Sequence, residues 1–342
     1  MNVHELPLIL FTVLGQMSVG AFVVLGVVQV LGRWRYGRAA VDAIADPALY
    51  AIGPVLVLGL LASMLHLGNP MNAINTLRHL DSSWLSREIV FGVAFAGLGF
   101  LFAALQFFRW GTPLLRQVVA AVTAVVGLAF IWVMSMVYAS LPTVPAWNMW
   151  TTPAQFYLTA LLLGTLAVGA AFMGVTMSRR QHLRERLHRL EETPLARRLW
   201  SWRRSEPAAA EAPDGPAGSA PGADPERDQA LLDNSVRWVA MGTIVLLGVQ
   251  LVVIVLQLTQ MANDPGMPAS SLAAYSTGWF VARLVLLVLG AGLLGVVLAR
   301  LISAHRPVLL VATVATLSFL TVLASEIIGR SLFYDSMTRI GM

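Results

Sequence analysis

Cysteine and lysine are both absent from this chain of 342 residues, and charged residues make up only 12% of it. Without cysteine the protein has no disulfide, no thiolate nucleophile and no cysteine-ligated iron–sulfur cluster. All 23 basic residues are therefore arginines, a bias that is typical of GC-rich coding. Soluble domains carry about 25% charged residues. The low charge, together with 57% hydrophobic residues, indicates an integral membrane protein.

Histidine is scarce as well, and the positions of the histidines argue against a membrane haem. A b-type haem held by two histidines needs both of them inside the helical bundle. Of the six histidines, only His66 lies at the end of an apolar run. We therefore expect no haem and no iron–sulfur cluster in this chain. Electrons released in it would have to leave on the side where they are released, to a partner with its own redox centre.

Long apolar runs are what the chain has in abundance. A membrane-spanning helix needs about 20 predominantly apolar residues. The sequence predicts an all-α integral membrane protein with eight transmembrane helices, over residues 6–31, 48–67, 88–108, 115–138, 153–177, 236–258, 279–299 and 307–328.

Arginine is distributed unevenly between the two sets of connecting loops. The loops after the first, third, fifth and seventh predicted spans hold 18 of the 23 arginines. Positively charged loops stay on the cytoplasmic side of a membrane. We therefore expect a multi-pass membrane protein with both termini on the outer side.

A change of composition divides the chain into three parts. Residues 205–226 are rich in Ala, Pro and Gly and are predicted to be a disordered linker. The predicted parts are a five-span bundle (1–178), a cytoplasmic basic segment with the linker (179–235) and a three-span bundle (236–342). The nine arginines of residues 179–204 fix the topology of the chain or belong to an amphipathic helix lying on the inner membrane surface.

Ionisable side chains near membrane depth gather at the predicted outer face. His66 ends the second span, Trp84, Arg87 and Glu88 begin the third, and Glu326 lies near the end of the last. Oxidation of a quinol needs acceptors for two protons. A histidine titrates near 6.5, and partial desolvation raises the pKa of a glutamate.

His66 and Glu88 are therefore the candidate catalytic pair, and Trp84, Arg87 and Glu326 are further candidate quinol-binding residues. No metal site is predicted. Helix caps, headgroup contacts and interfacial ion pairs account for each residue singly as well, so position alone leaves the quinol site open.

The loop of residues 138–153 carries three prolines and two tryptophans, Trp147 and Trp150. Prolines stiffen a loop, and tryptophans often anchor a protein interface. The loop is therefore a candidate docking surface for the redox partner. Tryptophans of a membrane-interface belt would give the same pattern.

Five stretches of the chain together resemble the membrane anchor subunits of the dimethyl sulfoxide reductase family. They are ELPLILFTVLGQMSVGAF at 5–22, HLGNP at 66–70, SSWLSREI at 82–89, the Pro/Trp loop at 141–153 and EIIGRSLFY at 326–334. The resemblance implies menaquinol or ubiquinol as electron donor, bound by His66 and Glu88. It also implies a four-cluster ferredoxin-like iron–sulfur subunit at the outer face and a molybdopterin catalytic subunit, in an anaerobic respiratory complex. Such a complex is expected in the bacterial inner (cytoplasmic) membrane, so the outer side is the periplasmic side.

Other classes of function stay open at this point. A related complex could run in reverse, oxidising sulfite or another sulfur compound and reducing quinone. A proton-coupled transporter could use the same two residues, although transporter sites lie near the midplane between repeats and no repeat is evident here. A purely structural anchor is a further alternative. Nucleic acid is not an expected partner, because membrane topology explains the arginines.

Overall fold

The computed structural model describes residues 5–36, 38–66, 78–191, 225–304 and 307–341. Over these residues the chain forms helices and no β-strand, as the all-α prediction requires. The helices are α1 (Leu6–Tyr36), α2 (Arg38–His66), α3 (Trp84–Phe107), α4 (Pro113–Ala139), α5 (Thr151–Glu191), α6 (Pro225–Asn263), α7 (Ala269–Tyr275), α8 (Gly278–Leu287), a π-helical turn (Val288–Leu293), α9 (Leu294–Ser303) and α10 (Val308–Asp335).

Seven helices of the described residues are long and apolar enough to cross a membrane. They are Leu6–Trp34, Trp84–Phe107, Pro113–Ala139, Thr151–Ser178, Asn234–Asn263, Gly278–Ser303 and Val308–Asp335. They correspond to seven of the eight predicted spans. The remaining one falls on α2, whose apolar part within the described residues, Ala45–Gly59, is shorter. The span predicted at 48–67 therefore stays a prediction.

Two helices extend well beyond the apolar runs that predicted them. Helix α2 begins at Arg38, ten residues before the predicted span, so Asp42 is helical. Helix α5 continues to Glu191, so residues 179–191 prolong a membrane span and do not form a separate surface helix. No Gly or Pro interrupts residues 179–191, and arginine and leucine favour helix. Residues 192–224, with most of the predicted linker, lie outside the described residues, and the three-part division stays a prediction.

The bundle has two polar ends, which we name by the features that lie there. The α4–α5 end contains the loop of residues 140–150, the starts of α1 and α3 and the end of α10. The Thr143 carbonyl accepts a hydrogen bond from the Ile340 amide at 2.9 Å. Burial raises the pKa of the Glu5 carboxyl, and the nearby Asp335 adds to that shift. The first and last described residues therefore lie at the same end.

The opposite end, which we call the Arg109 end, is held by ion pairs. Arg109 bonds to Asp46 at 2.9 Å and lies 3.4 Å from Asp42, and Arg33 bonds to Asp42 at 2.8 Å. The Gln106 amide also donates to Asp46 at 2.8 Å. Arg109 has a φ of 56°, a left-handed conformation that is uncommon outside glycine. This turn lets one arginine join α2 to the α3–α4 connection.

Two glycines allow a close crossing of α1 and α5. Helices α1 and α5 meet at Gly20 and Gly164, where a Cβ on Gly20 would overlap the Ala160 carbonyl. A Cβ on Gly164 would overlap the Gly20 backbone. Membrane helices approach this closely only where small residues leave room. The crossing fixes α1 against α5, and each of these helices contributes one residue to the site described next.

Candidate functional site

Seven polar side chains from five helices are buried together at the α4–α5 end, and we call them the buried polar cluster. They are Gln16, Glu88, Tyr138, Thr159, Glu326, Arg330 and Tyr334. Each is less than a tenth exposed. Burying so many polar groups in an apolar bundle is costly unless they are paired. The cluster is therefore the candidate functional site.

Glu88 is the member that lies on α3, and it is 4% exposed. The Ser83 hydroxyl caps α3 by accepting from the Ser86 amide at 3.3 Å, which starts the helix one turn before Glu88. The Glu88 Oε1 atom has no hydrogen-bond partner among the described residues. A buried carboxylate oxygen without a partner is available to a ligand hydroxyl.

Arg87 and Trp84, the neighbours of Glu88, make different contacts. The Arg87 guanidinium donates to the Leu80 and Asp81 carbonyls at 2.7 and 2.6 Å. It also lies 4.3 Å from the centre of the Trp84 ring. These contacts brace the turn before α3. A quinol-binding role for either residue stays a prediction.

Glu326 and Arg330 lie on the same face of α10 but have separate partners. The Thr159 hydroxyl donates to Glu326 Oε2 at 2.7 Å. Arg330 donates to Gln16 Oε1 at 3.0 Å and lies 3.8 Å from the centre of the Phe156 ring. No ion pair joins Glu326 to Arg330 in the described part of the protein. The structural ion pair that their four-residue spacing favours is thus not formed.

A pair of tyrosines connects the two halves of the chain. The hydroxyls of Tyr138 and Tyr334 are 3.1 Å apart. The Glu88 carboxyl and the Arg330 guanidinium both lie within electrostatic range of this pair. The tyrosines therefore join the α3 side of the cluster to the α10 side.

The loop of residues 140–150 covers the cluster. Trp147 donates through its indole N–H to the Phe333 carbonyl at 2.7 Å and stacks on the Phe333 ring at 5.3 Å. Trp147 is thus a core residue and not the interface anchor predicted from sequence, because its indole finds its partner inside the protein. Trp150 is 57% exposed and remains available to a partner.

His66 is the last residue of α2. Its side chain lies outside the part of the protein that the structure describes. The predicted pairing of His66 with Glu88 therefore stays a prediction.

An apolar cavity of about 160 Å³ lies between α1, α2, α5 and α10. Met17, Ala21, Ala51, Val168 and Phe319 are among its lining residues. On α1 the lining begins at Met17, which follows Gln16 of the cluster, and on α2 it begins at Ala48, two residues after Asp46 of the Arg109 end. The cavity therefore lies between the polar cluster and the Arg109 end, and its apolar lining is suited to a hydrocarbon tail.

Within the described residues, no group of three or more His, Asp or Glu side chains is placed to hold a metal ion. The arrangement offers carboxylates, phenol hydroxyls and a guanidinium beside an apolar cavity. Fold and site together define an integral, multi-pass α-helical membrane protein with a buried polar cluster near one end of its bundle.

Residues 1–190 match the family model described as "DMSO reductase anchor subunit (DmsC)". Because the match covers more than half of the sequence, the protein belongs to the DMSO reductase anchor subunit family. Four members of the buried polar cluster, Gln16, Glu88, Tyr138 and Thr159, lie within the matched region. The other three, Glu326, Arg330 and Tyr334, lie on α10, which is beyond that region.

Individual relatives agree with this assignment. The protein is 40% identical over 166 residues to an anaerobic dimethyl sulfoxide reductase chain of Escherichia coli K12, and the match spans 48% of this sequence and 56% of that one. The relative of the same name in Haemophilus influenzae is 34% identical over 163 residues, which span 48% and 57%. A sulfite dehydrogenase subunit of Allochromatium vinosum is 27% identical over 142 residues, which span 36% and 44%. The protein thus matches about half the length of these relatives.

Proposed function

We propose that the protein is the quinol-binding membrane anchor of a respiratory oxidoreductase complex. It oxidises quinol at the α4–α5 end and passes the electrons to an iron–sulfur subunit, which supplies a molybdopterin catalytic subunit. The observation that carries this proposal is the buried Glu88, with a carboxylate oxygen that has no partner among the described residues. It lies in a polar cluster beside an apolar cavity.

The chemistry of quinol oxidation fits these groups. Each of the two ring hydroxyls loses a proton while the ring loses two electrons. Glu88 accepts one proton, and His66, at the end of α2, accepts the other. The protein has no cysteine to ligate a cluster, so both electrons pass directly to the iron–sulfur centre of the partner.

The apolar cavity supports a quinol over a small polar ligand. Menaquinol and ubiquinol carry a long isoprenoid tail on a compact polar ring. A ring in the buried polar cluster would leave its tail at the level of Met17 and Ala21, which line the cavity. Because lipid is as apolar as the cavity, the tail gains close packing there and no hydrophobic transfer energy.

The topology follows from where the helices begin. Helix α2 begins at the Arg109 end, where Asp42 bonds to Arg33, and α3 begins at the opposite end. These two starting points support eight crossings, with α2 as the additional one, because the backbone would cross the bundle between Arg38 and Trp84. The arginine bias puts the Arg109 end on the cytoplasmic side of a bacterial inner membrane.

The α4–α5 end then faces outward and is where the iron–sulfur subunit docks. Its exposed Trp150 is a suitable anchor for that subunit. The similarity to a sulfite dehydrogenase subunit favours a second candidate, a complex of the same architecture that oxidises a sulfur compound and reduces quinone. The same site serves both directions, because the protons return to the ring through the same residues.

The proposal is tested in the intact complex by removing the two proton acceptors separately. Glu88→Gln keeps the volume of the side chain but cannot accept a proton, and His66→Gln removes the imidazole. Both are expected to lower quinol-dependent turnover at least 100-fold, because general-base catalysis contributes about 10²–10⁴-fold. Turnover with a dye that feeds the catalytic subunit directly is expected to be unchanged. For a complex that reduces quinone, we expect the same two variants to lower the rate of quinone reduction.

Asp46→Asn is the matched control, since it makes the same chemical change at a buried carboxylate of the Arg109 end. It is expected to leave quinol turnover at the wild-type level in complex that assembles. Normal quinol turnover in both Glu88→Gln and His66→Gln would reject the proposed function.

A further inference from the structure

Arg330 is the buried cation of the polar cluster, and its contacts leave it incompletely satisfied. It is 6% exposed, and one NH2 group donates to the neutral Gln16 side chain at 3.0 Å. Its Nε has no partner among the described residues. A guanidinium carries five N–H donors.

Burial of such a group is expensive. Removing an ion from water costs several kcal/mol unless a counter-charge and hydrogen bonds replace the lost hydration. The ring of Phe156 at 3.8 Å replaces part of it through a cation–π contact. No carboxylate of the described residues forms an ion pair with Arg330. A binding site in which a guanidinium keeps free donors is suited to an electron-rich oxygen.

A second buried arginine makes a useful contrast. Arg283 of α8 is 3% exposed, and its Nε also has no partner among the described residues. Its guanidinium, however, packs against the backbone of Gly329 so closely that a Cβ there would overlap it. The Ser325 hydroxyl also donates to the Arg283 carbonyl at 2.8 Å. Arg283 thus joins α8 to α10. Arg330 instead lies near the tyrosine pair, and the Glu88 carboxyl lies within electrostatic range of the same two tyrosines.

We infer that Arg330 binds a ring oxygen of the quinone or quinol, with Gln16 and Phe156 holding the guanidinium in place. This inference rests on the proposed function and adds a second point of attachment for the ring. Because arginine only donates, it binds the carbonyl oxygen of the quinone and a lone pair of the quinol oxygen.

The charge of Arg330 also has a role during the reaction. When a ring hydroxyl gives its proton to Glu88, its oxygen becomes negative, and Arg330 stabilises that charge. The ring then loses two electrons to the iron–sulfur centre of the partner, the second hydroxyl proton leaves to His66, and both C–O bonds become carbonyls. Arg330 holds no proton of the reaction, so it affects binding and the ease of deprotonation.

The competing role is structural, a tie between α10 and α1 through Gln16. The two roles differ in whether Arg330 recognises oxygen. In the intact complex, the inhibition constants of 2-methyl-1,4-naphthoquinone and of 2-methylnaphthalene, the same ring without oxygens, are measured against quinol turnover. Their ratio reports recognition of the oxygens alone.

Arg330→Met removes every donor and leaves no buried charge, and Arg283→Met makes the same change at the neighbouring arginine. Arg330→Met is expected to lower the naphthalene-to-quinone ratio about 30-fold, the loss expected for one hydrogen bond to a charged donor. The pH–rate profile for quinol is expected to move to more alkaline pH, because the hydroxyl loses a nearby positive charge. Arg283→Met is expected to leave the ratio unchanged.

An unchanged ratio in assembled Arg330→Met complex would overturn the inference and leave the proposed function standing. If Arg330→Met does not assemble, the same measurement is made with Arg330→Lys, which keeps the charge. The ratio of inhibition constants is then expected to fall by a smaller factor. If neither Arg330→Met nor Arg330→Lys assembles while Arg283→Met does, Arg330 has a structural role, and the inference is also overturned. A wild-type complex that neither oxidises naphthoquinol nor is inhibited by the quinone would instead reject the proposed function.

Discussion

At the scale of single residues, the two buried glutamates of the cluster are held differently. Glu326 has one oxygen fixed by Thr159 at 2.7 Å, and its other oxygen, like Oε1 of Glu88, has no partner among the described residues. The hydrogen bond from Thr159 fixes the orientation of the Glu326 carboxylate. Glu88 is the better candidate for a proton acceptor that changes its charge in each turnover.

The cavity lining gives a prediction at the same scale. Ala51→Phe fills part of the cavity from α2, so the tail loses some of its contacts with the cavity wall. The KM for a long-tailed quinol is expected to rise about threefold, because lipid replaces only part of the van der Waals contacts that the tail loses. The KM for a quinol with no tail is expected to stay the same.

Ala121→Phe on the exposed face of α4 is the control for added bulk. Steady-state kinetics with a series of tail lengths makes the comparison. Equal effects of Ala51→Phe on tailed and tailless quinols would show that the cavity does not hold the tail.

Sequence identified some members of the cluster and not others, for a physical reason. Glu88 and Glu326 were candidates because ionisable residues are costly at membrane depth. Tyr138 and Tyr334 were not, because aromatic residues at the ends of spans are common in membrane-interface belts. Their contact joins residues 196 positions apart, and the Gln16–Arg330 bond joins residues 314 apart. Such contacts depend on which helices pack together, and the hydrophobic pattern of the sequence does not determine that.

At the scale of helices, hydropathy located the spans but not their ends. The apolar runs predicted the seven candidate spans because water is absent from the hydrocarbon core. The extensions of α2 to Arg38 and of α5 to Glu191 carry polar residues with no hydropathy signal. The π-helical turn Val288–Leu293 gave no signal either. It lies where Ser318 donates to the Gly290 carbonyl at 2.6 Å, and such turns interrupt helices where a neighbouring group inserts.

The α1–α5 crossing makes a prediction about stability. Gly164→Val puts a branched side chain where the Gly20 backbone lies. We expect the free energy of unfolding to fall by about 3 kcal/mol, the upper part of the usual range for overpacking. The thermal unfolding midpoint of the purified protein in detergent measures it.

Gly174→Val is the matched control for that substitution. Gly174 lies on the same helix, and a Cβ there meets no atom within 4 Å. A midpoint of Gly164→Val as high as that of Gly174→Val would mean that the two helices do not cross as closely as described.

At the scale of the whole molecule, the described carboxylates of the helices lie at the two ends. Glu88 and Glu326 belong to the α4–α5 end, and Asp42 and Asp46 belong to the Arg109 end. Asp46 was not expected inside a helix from the sequence. It is held by Arg109 and Gln106 and is therefore a structural member of the Arg109 end. No Asp, Glu or His of the described residues connects the two groups along the helices.

The absence of cysteine makes the orientation directly measurable. Met337→Cys at the α4–α5 end and Trp110→Cys at the Arg109 end each introduce one thiol at an exposed position. In intact cells lacking an outer membrane, a membrane-impermeant thiol reagent is expected to label the first and not the second. The reverse pattern would invert the proposed topology.

With that orientation, we predict that turnover is electroneutral. Quinol protons leave at the outer face, and the partner takes the electrons on the same side. Neither electrons nor protons then cross the membrane, although moving one charge against 100 mV would store about 2.3 kcal/mol. Purified complex in liposomes with a potential-sensitive dye is expected to turn over quinol without generating a potential. A potential that an uncoupler collapses would contradict this prediction. If Asp46→Asn abolished that potential, the Arg109 end would be the entry of a proton path reaching the buried polar cluster.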